Sequence, residues 1–397
     1  MTEGELNREA TTESTEESVN ATEFEEKCCP DADEAEEGLD EMLKELVATC
    51  QTTPINKLGG YEFFRSLGSP KYAVAPMVDQ SELAFRMLCR NHGATIAYTP
   101  MLHSKIFSSN VSYRQRFFTT CPEDRPLVVQ FCGNEPYYVL KAALHVQDSC
   151  DAVDLNLGCP QRIAKKGRYG SFMMDHPEKV YQIVKTLHEN LKVPVFCKIR
   201  VFDEYEKTLQ FAKMLESAGC QLLTVHGRTR IMKGKLVGVA DWEVIRKLKQ
   251  ELTIPVFSNG NIRNFNDIQE CLKITQTDGI MSAEGLLRFP GIFSGEDKDA
   301  FEMSREYLQH SEKYNTHYTW AKDHICKMLA PVVESHQQLR EALFRQKDYV
   351  SLRKQLDYTE EMIKSNAVEP DPTFVRIRTP GDIFENFECN FMFSPDE

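Results

Sequence analysis

The chain has 397 residues, 41% of them hydrophobic and 27% charged, with a formal net charge of −13. That length accommodates one large domain and a smaller one at roughly 100–200 residues each. No stretch approaches the ~20 apolar residues that cross a bilayer, and the composition excludes collagen-like, coiled-coil and wholly disordered chains.

Dividing the charge changes its meaning. Residues 1–50 hold 17 acidic and 3 basic side chains, a net of −14. Residues 51–294 hold 31 basic and 23 acidic, a net of +8, and residues 295–397 a net of −7. The middle of the chain is therefore the part suited to a polyanion. The 13 cysteines include no CxxC pair, and Cys132, Cys197 and Cys220 sit in apolar runs. This predicts buried free thiols in a reducing compartment, the cytoplasm or nucleus, with no structural metal. The amino terminus has neither the apolar block of a secretory signal nor the arginines of a mitochondrial presequence.

Residues 1–37 contain too little apolar surface to offset their ordering entropy and are read as disordered; residues 1–50 form an acidic leader. Leu39, Met42, Leu43, Leu46 and Val47 make one helical stripe, predicting a short helix near 39–49 packed on the body. From residue 71 short apolar runs alternate with longer amphipathic stretches. The predicted strands are Tyr72–Ala75, Ala94–Tyr98, Leu127–Phe131, Ala152–Leu155, Val195–Ile199, Leu222–Val225, Val256–Ser258 and Gly279–Met281. The intervening helices are Ser81–Asn91, Pro136–Val146, Pro177–Leu191, Glu206–Ala218, Asp241–Gln250 and Asn266–Ile274. Eight strands alternating with helices suit a (β/α)8 TIM barrel over residues 65–294. An open doubly wound sheet is disfavoured because no GxGxxG follows the first strand. After Pro290 the strands stop. Residues 299–314, 318–332, 335–346 and 348–364 read as a small helical domain over 295–366, and 367–397 as a loose tail.

In such a barrel, chemistry lies at the carboxyl ends of the strands. There the chain places Pro76, Met77 and Val78; Gln130; Asn156 and Cys159; Lys198 and Arg200; His226 and Arg228; Asn259, Gly260 and Asn261; and Ala283, Glu284 and Gly285. Polar groups at one level on successive strands outline a ring around one mouth. Gly260 and Gly285 allow close backbone approach to a phosphate, with Lys198 and His226 adding charge or donors. Cys159 stands between Gly158 and Pro160 in a turn beyond a strand, where a thiol can be a nucleophile, a metal ligand or a proton donor; no metal-ligand set accompanies it. Arg162, Lys165, Lys166 and Arg168 follow it, and Arg230, Lys233 and Lys235 lie on the same predicted rim. Basic clusters beside such a mouth suit a phosphodiester backbone.

The span from about Val74 to Phe293 resembles the tRNA-dihydrouridine synthases, particularly the branch acting at D-loop positions 16 and 17. The resemblance rests on Ala75-Pro76-Met77-Val78-Asp79, Val129-Gln130-Phe131, Asp154 through Pro160, Gly167 through Gly170, Lys198-Ile199-Arg200, Thr224 through Arg228 and Ser258-Asn259-Gly260-Asn261. It implies FMN in the mouth, NADPH or NADH as reductant, and a tRNA partner; the sequence leaves the oligomeric state open, with a monomer expected. The reaction implied is reduction of the uridine C5–C6 bond, with hydride delivered from reduced FMN to C6 and a proton from Cys159 to C5. By the same resemblance Pro76, Met77 and Val78 line the flavin, and Gln130 and Lys198 bond its ring. His226, Asn259, Gly260, Asn261, Ala283 and Glu284 surround the phosphate end, while Asn156 and Arg200 hold the uracil edge. Arg228 and the basic segment after Cys159 then face the tRNA, and the carboxyl-terminal helices resemble the family's RNA-facing domain.

Two departures are evident: Ala283-Glu284 replaces the more usual Gly-Arg, and Gly170-Ser171 the commoner Gly-Ala. The competing readings are an FMN-dependent dehydrogenase of a small molecule such as a dihydropyrimidine, a Schiff-base lyase using Lys198, and a catalytically silent tRNA-binding relative.

Overall fold

In a parallel strand buried on both faces, alternate side chains point into the two faces, so the identity of every second residue decides what lies inside a closed sheet. The computed structural model describes residues 38–50 and 57–368; the leader over 1–37 and the tail from 369 lie outside the described residues. Eight strands form the frame: β1 (Tyr72–Val74), β2 (Ile96–Tyr98), β3 (Leu127–Cys132), β4 (Ala152–Leu157), β5 (Val195–Arg200), β6 (Cys220–His226), β7 (Val256–Asn259) and β8 (Gly279–Ser282). All pair in parallel with their sequence neighbours, and β1 also pairs with β8, from Tyr72 opposite Ile280 to Val74 opposite Ser282. That last ladder closes the barrel and excludes the open sheet. A two-residue segment, Leu102–His103, adds to the end of β3.

The inward positions nearest the strand starts are apolar throughout. Ala73, Ile96, Val128, Ala152, Phe196, Leu222, Phe257 and Met281 form one buried cluster with Phe64. Phe64 belongs to a helix over Gly60–Ser66, too short to carry a periodic signal, which closes the barrel base. Its ring meets Phe257 edge-on at 6.0 Å, and Phe63 meets Phe196 at 6.1 Å. Just before this helix, Lys57 Nζ donates to the carbonyls of His188, Leu191 and Val193, and burial pulls its pKa down to about 8. The outward positions, among them Val129, Val153, Leu155, Ile199 and Val225, pack under the surrounding helices in a second cluster.

The amino-terminal helix spans Leu39–Thr49. Leu43, Leu46, Val47 and Cys50 rest on the outer core, whereas Met42, expected in the same stripe, faces outward at 41% exposure. Ten cysteines are described, and all are free thiols.

Of four carboxyl-terminal helices, Ala300–Lys313 and Tyr318–Val333 meet the helix Leu83–Asn91 that follows β1, and Gln337–Phe344 and Tyr349–Lys364 pack on those two. Asp299 and Asp348 cap the first and last by accepting from backbone N–H groups. A buried polar clasp joins the two parts. Glu82 accepts from the Tyr307 hydroxyl at 2.7 Å and from His324 Nε2 at 3.0 Å, and it also caps its own helix through Phe85 N–H. Phe85 stacks on the His324 ring at 4.4 Å. Burial by itself would raise the Glu82 pKa; the charge and hydrogen bond of His324, with the Tyr307 hydroxyl, outweigh it and hold the carboxyl below its ordinary value.

Replacing Glu82 by Gln is expected to cost about 2–3 kcal/mol by removing a charged acceptor from two buried donors. A folded-state pKa below the unfolded one gives stability that is present above the ordinary glutamate range and lost as the pH falls through the folded value. Chemical denaturation as a function of pH checks this: the gap between wild type and E82Q should be widest near neutrality and narrow below about pH 4.

Candidate active site at the barrel mouth

Above the apolar base the inward positions turn polar. The next layer carries Tyr98, Gln130, Asp154, Lys198, Thr224 and Asn259, and the rim carries Asn156, Arg200 and His226, each two residues further along its strand. Register places Gln130 beside Asp154, Asn156 beside Lys198, Arg200 beside His226, and His226 beside Asn259. The sequence-predicted ring of polar groups is therefore brought together at one mouth.

The Cys159 turn is held from several sides. Asn156 Oδ1 accepts from the backbone N–H of Gly158 at 3.1 Å and of Cys159 at 2.9 Å. The Cys159 carbonyl accepts from both the N–H and the hydroxyl of Ser171. Gly170 makes this approach possible: its φ is +62°, and a Cβ there would lie 2.6 Å from the Cys159 carbonyl oxygen. Ser171, the departure from the family pattern, thus supplies a hydroxyl bond that an alanine could not. Cys159 itself is half-buried, unlike the sealed Cys132, Cys197 and Cys220.

Arg200 braces the same turn. Its Nε donates to the Gly158 carbonyl at 2.9 Å, and one terminal nitrogen donates to the carbonyls of Thr229 and Met232. The guanidinium expected to hold a substrate edge thus ties the loop after β6 to the Cys159 turn. Arg230 and Lys233 extend the strap: Arg230 pairs with Asp175 and Lys233 donates to the Pro160 carbonyl. Opposite, Met77 N–H donates to Ser81 Oγ, and buried Arg86 donates to the Ser81 carbonyl while pairing with Asp124. This fixes half-buried Pro76, Met77 and Val78 at the mouth. Burial would raise the Asp124 pKa, but Arg86 and Arg90 hold it below the usual carboxylate range.

The mouth gathers cations. Lys198 Nζ makes no hydrogen bond or ion pair among the described residues; burial and the nearby Arg200 charge pull its pKa down to about 8. Burial, then Lys198, Arg200 and Arg228, drive His226 well below its ordinary value, so the ring is neutral. Arg228 can only donate, and it lies 3.1 Å from His226 Nε2, which fixes the imidazole proton on Nδ1. Asn261 Oδ1 accepts from Arg228 and from Ala240 N–H, and Asn259 Nδ2 donates to the Met281 carbonyl. Ala283 precedes the short helix Glu284–Arg288, where Glu284 is exposed and lends its charge to Arg228. Gly285 packs on the Ile262 carbonyl, so its lack of a side chain serves loop–loop contact as well as any ligand. Arg162, Lys165, Lys166 and Arg168 all lie exposed beyond the Cys159 turn.

Two side chains that sequence reasoning quoted only inside motifs emerge as parts of the site. Asp154 is fully buried, accepting from Gln130 Nε2 at 2.8 Å, and burial pushes its pKa up to about 7. Thr224 lies on the same interior level, its hydroxyl unpartnered among the described residues. The signal was the alternation itself, since both share the inward parity of Asn156 and His226.

The fold is a closed parallel eight-stranded barrel whose polar, cation-lined mouth lies at the carboxyl ends of the strands, where barrels of this class place their chemistry. A family model described as dihydrouridine synthase matches residues 73–377, and the chain belongs to that family. A rat protein named tRNA-dihydrouridine(16/17) synthase [NAD(P)(+)]-like is 49% identical over 294 residues, covering 73% of this chain and 67% of that one. The budding-yeast tRNA-dihydrouridine(16/17) synthase [NAD(P)(+)] is 46% identical over 318 residues, covering 76% and 75%. A human tRNA-dihydrouridine(20a/20b) synthase [NAD(P)+]-like protein is 32% identical over 293 residues, covering 72% and 91%. Among the mammalian and yeast relatives named for positions 16/17, the match spans 62% to 76% of their lengths.

Gly260 tests the closeness of the mouth's packing. Its φ is +112°, and an added Cβ would lie 2.7 Å from Ala240 Cβ and 2.9 Å from His226 Cδ2. Gly260→Ala should lower stability by about 1–3 kcal/mol, read as a shift of the urea midpoint; an unmoved midpoint contradicts the close approach.

Proposed function

We propose that this protein reduces uridine to dihydrouridine in tRNA, at positions 16 and 17 of the D-loop, using flavin mononucleotide and NADPH or NADH. The observation that carries the reading is a half-buried thiol, Cys159, fixed at the rim of a cation-lined mouth in a chain of this family. The names of relatives at 43–49% identity support the position and the NAD(P) dependence.

The donor set fits the cofactor. Lys198 offers an ammonium with no hydrogen bond or ion pair among the described residues, and Arg228 with neutral His226 offers donors beside the β7 turn. Ala283-Glu284 puts no arginine at the start of the helix after β8, whose Arg288 lies a turn further on, so Lys198 and Arg228 supply the cationic charge for a phosphate. Gln130 retains one amide hydrogen and one lone pair for a ring edge, the others being committed to Asp154 and Asn156. When bound, the flavin supplies hydride. The protein supplies the balancing proton: Cys159 Sγ–H gives it to C5, and a thiol's ordinary pKa of ~8.5 lies near enough to neutrality for that transfer. Asn156 and Arg200 orient the turn and shape the cleft that receives the base.

A stacked uridine cannot reach the mouth until it leaves its neighbours, at roughly a few kcal/mol. Arg162, Lys165, Lys166 and Arg168 line the approach and offset that by holding backbone phosphates. The four carboxyl-terminal helices, reached through the Glu82 clasp, form the second tRNA-facing surface. The reaction belongs in the cytoplasm or nucleus, carried out by a monomer; among the described residues no helix is long and apolar enough to cross a membrane.

Incubation with NADPH and unmodified tRNA, followed by position-resolved mapping of dihydrouridine, tests the reading; no product at 16 or 17 overturns the positional claim. Cys159→Ala should keep the flavin absorbance and tRNA affinity while product formation falls about 10²–10⁴-fold. Unchanged single-turnover product would remove the thiol from the reaction. Reversing Lys165, Lys166 and Arg168 to Glu together should weaken tRNA binding and flatten the log K against log [salt] slope by about 2–3, measured by filter binding across salt concentrations.

A further inference from the structure

The Cys159 turn is the end of a hydrogen-bonded chain that starts deep in the barrel. Asp154 Oδ2 accepts from Gln130 Nε2 at 2.8 Å, Gln130 Oε1 accepts from Asn156 Nδ2 at 2.8 Å, and Asn156 Oδ1 accepts from Gly158 N–H and Cys159 N–H. The three side chains stand on the inner face of β3 and β4 and are each at most 7% exposed. No alternative direction is available to the chain. The backbone N–H groups can only donate, so Asn156 must present its oxygen to them and its NH2 to Gln130. Gln130 must then present its oxygen to Asn156 and its NH2 to Asp154. The polarity fixed at Cys159 therefore ends on an obligatory acceptor at position 154.

We infer that Asp154 is the positioning residue for Cys159: its Oδ2 acceptor locks the Gln130 and Asn156 amides in the one orientation that pins the Gly158 and Cys159 peptides at the mouth. This deepens the proposed function, because it assigns a role toward the thiol taken there as the proton donor. The lock does not depend on Asp154 being ionised. Burial pushes its pKa up to about 7, with the Gln130 bond and the Lys198 charge opposing. Since Oδ2 must accept, the protonated form carries its proton on Oδ1, the oxygen that has no partner among the described residues. Either form keeps the acceptor where the chain needs it. A leucine at 154 has similar volume but no acceptor, so the Gln130 amide is left with an unsatisfied donor and can turn. An asparagine reproduces the protonated acid, with oxygen toward Gln130.

The test uses the purified full-length protein and reads the turn directly. Amide hydrogen exchange of peptides containing Gly158 and Cys159, and iodoacetamide labelling of Cys159 relative to half-buried Cys121, are measured for wild type, Asp154→Leu, Asp154→Asn and Gln130→Met, with circular dichroism verifying the fold. Asp154→Leu and Gln130→Met should speed exchange at the turn about tenfold and change the Cys159-to-Cys121 labelling ratio, while Asp154→Asn remains within about twofold of wild type, as an acceptor-based lock requires. Gln130→Met carries the test by itself if the leucine variant does not fold. Wild-type exchange in both disruptive variants overturns the inference, as does Asp154→Asn behaving like Asp154→Leu. Because exchange and labelling need neither NADPH nor tRNA, a wild-type protein that forms no dihydrouridine would overturn the proposed function while leaving the result on the lock intact.

Discussion

The ladder between β8 and β1 is the constraint on which the remainder depends. Once Val74 pairs with Ser282, the sheet has no edge, all eight strands point one way, and their carboxyl ends meet around a single opening. Side-chain alternation then does the sorting. Apolar residues at the first inward positions fill the base with Phe64, Phe196 and Phe257, and polar residues two and four positions later fill the mouth. One closed sheet thus yields both an apolar base, capped by the helix Gly60–Ser66, and a polar rim.

Gathering Lys198, Arg200 and Arg228 in a partly desolvated opening is electrostatically costly, and the structure resolves that cost unevenly. Arg200 is turned onto three backbone carbonyls, Arg228 onto Asn261 and the Gly238 carbonyl, and His226 gives up its charge. Lys198 alone is left without a hydrogen bond or ion pair among the described residues. That asymmetry separates the cations that hold loops from Lys198, the one the proposed function assigns to a ligand. The loops themselves are joined by arginine and lysine donors to carbonyls, so they can be polar and close to solvent without losing definition.

Attachment of the carboxyl-terminal helices follows similar logic. Apolar contacts around Phe85, Leu88, Ile325 and Met328 supply area, but area by itself leaves an interface free to slide. Glu82, Tyr307 and His324 add directional bonds in a buried setting, where a misplaced partner leaves a charge unsatisfied. Glu82 lies one residue after Ser81, which holds Met77, so the orientation of the helices and the shape of the mouth share one short segment.

The strands, six of the helices between them and the four later helices were legible in the sequence because their periods stand out, and the polar strand ends were legible because they fall at a fixed place in each repeat. The helices Gly60–Ser66, Ser104–Ser109 and Val111–Phe117 and the Leu102–His103 segment were not, since seven residues or fewer cannot establish a period. Met42 shares its stripe with Leu43 and Leu46 yet faces outward, because the helix meets the body along a narrower line than the stripe is wide. Among the site residues, the sequence by itself determined which side chains reach the mouth, through the parity of β3 to β7. It did not determine what they do there. Which carbonyls Arg200 meets, and that Asp154 accepts from Gln130, depend on distances between strands and loops far apart in the chain. Only the tertiary structure decided those, because a hydrogen bond is set by position and direction in space and not by order along the backbone.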